Sequence, residues 1–199
     1  MKLKRIPAGI YAANCYILMD EETKEAVMID PGGDVEDLKK AVGEFGCSVK
    51  YILITHGHLD HTGGVSELSK AYNAPIAISN IDEKMASDDQ YMFGKFYKKA
   101  DFNISEGDVF RIGKSEIKCI ETPGHTPGGV CFLVDNLLFT GDTLFSGSIG
   151  RTDLTGGDFD SLISSIKTKL IVLPEDTIVL PGHGPESTIK REKMHNPFL

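Results

Sequence analysis

The chain has 199 residues, of which 41% are hydrophobic and 25% charged, and a formal net charge of -8. That balance describes a soluble globular protein with a real core rather than a disordered chain. The acidic excess, with no run of lysine or arginine, argues against a nucleic-acid backbone as ligand, and no apolar stretch of about 18 residues is present to span a membrane.

The opening MKLKRIPAGIYAANCYILMD starts basic but is interrupted by Pro7, Gly9 and Asn14. It is too weakly apolar for an export signal and reads as the first strand. Residues 15–19 and 25–29 read as paired strands across the polar turn 20–23, and DPGGD at 30–34 is turn chemistry. Val35, Leu38, Val42 and Phe45 recur at helical spacing over 35–45. A buried strand at 49–54 runs into THGHLDH at 55–61, after which Gly63 and Gly64 open a helix through Tyr72. Residues 75–79 form a further short strand. The stretch 80–104 is amphipathic and carries Met85, Tyr91, Met92, Phe93, Phe96 and Tyr97. It reads as a helical insertion packed on the body, placed to wall or cover a pocket.

Beyond it, 109–112, 115–121, 129–134 and 137–140 read as a meander of strands. Residues 159–170 form a helix with Phe159, Leu162, Ile163, Ile166 and Leu170 on one face, and 177–180 is a last strand. Strands and helices alternate in two comparable halves of a single domain, 1–199. Two facing sheets with helices outside would bury these strands and shield their other face. Cys15, Cys47, Cys119 and Cys131 are scattered, with no C-x-x-C pair. Reduced thiols and a cytoplasmic protein are expected, with Cys119 and Cys131 as core residues.

The chemistry concentrates at 56–61. His56, His58, Asp60 and His61 cannot share one helix face, because same-face neighbours lie three or four apart. A tight loop is needed to turn them to one point, and Gly57 permits the bend. Neutral imidazole and carboxylate suit zinc and similar borderline metals. ETPGHTPGG at 121–129 places His125 in a turn after a strand, FTGDTLF at 139–145 places Asp142, and VLPGHGP at 179–185 places His183. Five of the six histidines fall in such glycine-flanked motifs, with only His195 outside them. Four strand-end loops meeting at one edge of a sandwich would form a cage of seven ligands.

H-x-H-x-D-H, followed by strand-end histidine, aspartate and histidine, resembles the metallo-β-lactamase superfamily of hydrolases. The resemblance implies an α/β, αββα four-layer sandwich with a binuclear site at one edge. On that pattern His56, His58 and His125 hold the first metal, Asp60, His61 and His183 the second, and Asp142 bridges them. His58 stands where the diiron flavoproteins of the superfamily typically carry glutamate. GDTLFSGSIGRTD at 141–153 and the ending GHGPESTIKREKMHNPFL are similar to short glyoxalase II-like proteins, which are thioester hydrolases. Full-length glyoxalase II carries a further helical domain with basic residues for glutathione. This sequence ends soon after His183, so that mode of glutathione recognition is not expected to carry over.

The implied cofactors are two divalent ions, zinc first, with iron or manganese as options. Two metals about 3.5–4 Å apart share a water and lower its pKa to near 7. Asp60 is expected to serve as ligand and as proton acceptor, and a small-molecule thioester as substrate. Asp30 reads as a turn-former in preference to a carboxylate that orients a histidine. An Arg151–Asp153 pair is expected to pin the loop after Asp142, in preference to touching substrate. Thr55 and Thr62 are candidates to hydrogen-bond loop backbone, and Tyr11 and Asn14 are candidates for the site that no spacing singles out. The rival reading is a mononuclear iron persulfide dioxygenase using His56, His125 and Asp142. A lactonase ranks third, and a nuclease or a non-catalytic binding module lower still.

Overall fold

The computed structural model describes residues 1–95 and 98–199. The first half comprises β1 (Lys2–Ala8), β2 (Ala13–Met19), β3 (Glu25–Ile29), α1 (Val35–Phe45), β4 (Ser48–Leu53), α2 (Leu59–Thr62), α3 (Val65–Tyr72), β5 (Ile76–Ser79), α4 (Asn80–Ser87) and β6 (Phe102–Ile104). These strands form a six-stranded sheet in sequence order, antiparallel through β1–β2–β3 and parallel from β3 to β6.

The second half comprises β7 (Val109–Ile112), β8 (Ser115–Glu121), β9 (Val130–Val134), β10 (Leu137–Gly141), the short ribbon β11 (Leu144–Phe145) and β12 (Ser148–Ile149), α5 (Phe159–Ser165), β13 (Ile178–Pro181), β14 (Ser187–Thr188) and α6 (Ile189–His195). A π-helical turn, Ile166–Leu170, continues α5. The second six-stranded sheet has the order β14-β13-β10-β9-β8-β7, with only β10 and β13 parallel.

Side-chain alternation explains how these sheets stack. Every residue of β2 is buried, but on two sides. Cys15, Ile17 and Met19 join Leu38 and Val42 of α1 and Leu68 of α3 in a core outside the first sheet. Tyr16 and Leu18 point the other way, into a core shared with Phe132 and Phe139 of the second sheet. A period of two along a strand buried on both faces gives this division. A third core gathers Cys131, Leu138 and Val179 beneath Leu162, Ile166 and Leu170. Three cores between four layers make the αββα sandwich. Phe132 and Phe139 are fully buried between the sheets. Truncation of either to alanine should cost about 3–5 kcal/mol.

Several expectations need correction. The helix that Gly63 and Gly64 open runs to Tyr72 as expected (α3), but the histidine segment is not all loop: Asp60 and His61 ride on a helical turn, α2. Phe159 is exposed, while Leu162, Ile166 and Leu170 are buried and Ile163 packs partly against the same core. Among the described residues the 80–104 stretch is helical only at α4, and its end returns to the first sheet as β6, paired with β5. Phe96 and Tyr97 lie outside the described residues. The four cysteines are free, with Cys15, Cys119 and Cys131 buried. Among the described residues no helix is long and apolar enough to cross a membrane.

Candidate metal centre

The ligand-bearing segments leave the C-terminal ends of strands. His56 and His58 follow β4, and Asp60 and His61 sit on α2 just beyond. β8, β10 and β13 run in one direction, since β8 and β10 are each antiparallel to β9 and β13 is parallel to β10. Their ends therefore deliver His125, Asp142 and His183 to a single edge. The structure brings all seven side chains named from the sequence to this edge, where His58, Asp60, His125, Asp142 and His183 line a cavity of about 730 Å³ and His56 and His61 sit against them.

His56, His58 and His125 place one ligand atom each within 4.8 Å of one another, and so do Asp60, His61 and His183. Asp142 lies between the two groups. Its Oδ1 is 3.4 Å from His61 Nε2, and its Oδ2 is 3.6 Å from His125 Nε2 and 3.7 Å from His183 Nε2. Asp60 Oδ2 accepts from His183 Nε2 at 3.1 Å.

The outer side of each imidazole decides which nitrogen faces inward. The Arg151 carbonyl can only accept, so at 2.7 Å it fixes the proton of His125 on Nδ1. Asp30 Oδ2 does the same for His61 Nδ1 at 3.0 Å. The Thr55 hydroxyl donates to Asp30 at 2.6 Å, which leaves it a lone pair for His56 Nδ1 at 3.1 Å. In its neutral form each of these three histidines turns a bare Nε2 toward the centre. His58 differs, with Nδ1 3.0 Å from His125 Nε2.

Electrostatics divide the centre in two. Burial, reinforced by neighbouring histidines, pushes the His58 pKa down to about 3 and holds His56 well below its usual value. Both imidazoles are therefore neutral, the form that metal ligation requires. At His61 burial opposes protonation, but the Asp142 and Asp30 carboxylates outweigh it and favour the imidazolium. The hydrogen bond to Asp60 raises His183 against its burial. Burial would lift Asp142 and Asp60, yet histidines lower both: His61 and His125 act on Asp142, and His183 and His61 on Asp60. This half of the centre attracts positive charge.

The sequence profile of the metallo-β-lactamase superfamily matches residues 8–183. The chain belongs to that superfamily. It is 39% identical to the hydroxyacylglutathione hydrolase GloC of Haemophilus influenzae, covering 100% of this chain and 98% of that protein. The crystal structure of BLEG-1, described as a B3 metallo-β-lactamase, superposes with a TM-score of 0.92 at 38% identity, covering 100% of this chain and 99% of that one. TTHA1623 in a di-iron-bound form gives a TM-score of 0.83 at 34% identity, covering 98% and 100%.

The residues of this superfamily member fit metal ions. Among the described residues, four buried side-chain atoms lack any hydrogen-bond partner: Nε2 of His56, His58 and His61, and Oδ1 of Asp142. An unpaired buried polar atom costs about 1–3 kcal/mol, so such a cluster calls for a cation. Asp30 also falls within ligand distance of His56 and His61. Its oxygens, however, are already committed to the Thr55 amide, the Thr55 hydroxyl and His61. It holds the His61 ring and the Thr55 beside His56 and is not itself free to ligate, which corrects its reading as a turn residue alone.

The smaller residues sort by contact. Arg151 and Asp153 form a two-pronged ion pair, at 2.6 and 2.7 Å, on the exposed rim. Thr62 donates to the His58 carbonyl as expected, whereas the Thr55 hydroxyl serves a carboxylate and not backbone. Tyr11 lines the cavity. Asn14 Nδ2 holds the carbonyls of Pro181 and Gly184, which bracket His183. Gly57 is required for closeness and not for a bend. A Cβ there would stand 2.7 Å from the Phe93 ring, which lies against His58. His195 ends α6 on the exposed surface, away from the cavity lining. Sequence reasoning missed Phe93 as a wall of His58 and the Arg151 carbonyl as an anchor for His125.

Proposed function

We propose that the chain is a binuclear metal-dependent hydrolase of thioesters, with S-D-lactoylglutathione or a related acylthiol as the model substrate. His56, His58 and His125 would hold one ion, Asp60, His61 and His183 the other, and Asp142 would be shared. The observation that carries the reading is the set of inward-facing ligand atoms without partners, beside a cavity large enough for a small molecule. The likeness to GloC supports the thioester. The di-iron form of TTHA1623 supports two ions and makes iron a candidate beside zinc and manganese.

Two divalent ions held by these residues would supply Lewis acidity and a water acidified toward neutral pH. The protein's own contribution is placement. Asp60, held ionised by His183 and His61, stands at the cavity wall ready to accept a proton. Beside the polar groups, Tyr91, Met92, Phe145, Ile149 and Leu154 give the cavity an apolar lining that suits an acyl chain and its sulfur. A thioester releases a thiolate, so the pocket needs no strong general acid. Arg151 and Asp153 are assigned to stiffening the loop that carries Asp142. The protein is read as one domain over 1–199 working in the reducing cytoplasm, which free thiols at all four cysteines suit.

Elemental analysis of protein prepared with controlled metal supply, followed by an acylthiol panel, tests the proposal. Close to two metals per chain with turnover of an acylthiol is expected. One iron per chain with oxygen uptake on glutathione persulfide would overturn it in favour of a dioxygenase. Turnover confined to lactones, or to the β-lactams that the likeness to BLEG-1 makes a necessary control, would overturn the substrate class.

A further inference from the structure

Asp82 is a carboxylate in the first turn of α4, outside the ligand set, and it is fully buried. Its Oδ2 accepts from the Gly57 amide at 2.8 Å and the Thr126 hydroxyl at 2.7 Å, and its Oδ1 accepts from the Gly128 amide at 2.8 Å. Gly57 lies between His56 and His58, and Thr126 follows His125. The two loops belong to different sheets. Asp82 therefore joins, through one side chain, the loop after β4 and the turn after β8.

The surroundings hold that carboxylate in place. Ser79 caps α4 by accepting from the Asp82 amide at 3.2 Å. A Cβ on Gly128 would come within 2.6 Å of Asp82 Oδ1, so the turn approaches as closely as glycine permits. Burial raises the Asp82 pKa, and the three donors oppose the rise.

We propose that Asp82 is a positioning residue that sets the separation between the His56–His58 loop and the His125 turn, and hence the geometry of the three-histidine metal position. The inference rests on the ligand assignment under Proposed function. A carboxylate is the group required, because it accepts from three donors and offers none. Asparagine presents one oxygen and would turn its amide N–H₂ toward a backbone N–H. One loop is then released while side-chain volume is conserved.

The test is titration of the apo chain with Co²⁺ and Zn²⁺ against a competing chelator, with d–d absorption read for cobalt. Asp82→Asn is expected to weaken one of two metal equivalents by about 10- to 100-fold, as loss of a ligand-orienting partner does. The cobalt spectrum of that equivalent should change while the other keeps its affinity. Glu83→Gln on the same helix is the control. Glu83 is buried too, but it serves the Ala100 amide and Asn103 instead of a ligand loop. It should lower thermal stability without moving either equivalent.

Should Asp82→Asn fail to fold, Thr126→Val removes one of the three contacts and should weaken the same equivalent by a smaller factor. Unchanged affinities in the folded variant, or equal weakening of both equivalents, would overturn the proposal. A wild-type chain that takes only one equivalent would instead overturn the binuclear reading. The effect of Asp82 on that equivalent would remain readable.

Discussion

Asp30 Oδ2 accepts from His61 Nδ1 at 3.0 Å, and both side chains are buried. The same carboxylate receives the amide and hydroxyl of Thr55, at 2.8 and 2.6 Å. One side chain thus ties the end of β3 to the end of β4 and to α2. Asp30→Asn keeps the shape but cannot accept from all three donors. Loss of the anchor frees the His61 ring and its tautomer. Metal affinity of the Asp60–His61–His183 position should fall about 10- to 100-fold, and each donor stranded by the change should cost about 1–3 kcal/mol. Zinc titration and thermal unfolding check both; an unaltered zinc affinity contradicts the anchor.

Asp142 stands between the two histidine groups, and its Oδ1 is one of the buried atoms without a partner. Asp142→Ala should abolish turnover and lower the metal content per chain. Elemental analysis beside a kinetic assay is the check, and near wild-type turnover would sink the shared-ligand assignment.

Gly182 precedes His183 at the end of β13. A Cβ there would overlap Asp142 Oδ1 and approach within 2.6 Å of His61 Cε1. The backbone cannot easily retreat, because the Gly182 amide donates to the Gly141 carbonyl and its carbonyl accepts from the Asn14 amide, each at 2.7 Å. Gly182→Ala should therefore displace two proposed ligands while adding a single methyl group. Turnover should drop by at least about tenfold, as small displacements of reacting groups do. A variant with normal activity would show that the edge has slack.

The seven ligand candidates were legible because each follows an apolar strand and sits beside glycine, a local pattern that survives without coordinates. The meander over 109–140 was legible because its short apolar runs are separated by polar turns. Asp30 was seen and misjudged: DPGG is turn chemistry, and its φ of 51° is a turn conformation, but the sequence does not reveal that its carboxylate meets His61. Asp82 left no trace, since an acid in an amphipathic stretch reads as solvated until α4 is seen to turn it under two loops. β6 escaped because FNI is too short to display a period.

His195 provides the opposite test. It ends α6, exposed, with no contact to the cavity lining. His195→Ala should change metal content and turnover by less than a factor of two, and stability by no more than about 0.5 kcal/mol, as is usual for surface substitutions. A dead enzyme would mean that the histidines had been divided wrongly between site and surface.

Removal of metal should be felt by the fold itself. Without an ion, Nε2 of His56, His58 and His61 and Oδ1 of Asp142 stay buried and unpaired. The Asp142 and Asp60 carboxylates then rely on imidazolium charge at His61 and His183 for neutralisation. A ligand that binds only the folded chain stabilises it by about 2.7 kcal/mol per position at a hundredfold excess over its Kd. For a chain of this size each kcal/mol moves Tm by about 2–4 °C. Chelation should therefore lower Tm by roughly 5–10 °C for one position emptied, and further for two. Stepwise return of zinc should restore it in two stages if the positions differ in affinity. Scanning calorimetry of the stripped and reloaded protein makes the measurement. A Tm indifferent to chelator in protein shown to be metal-free would mean that the cage tolerates its unpaired atoms, and the assignment of these side chains as ligands would fall with it.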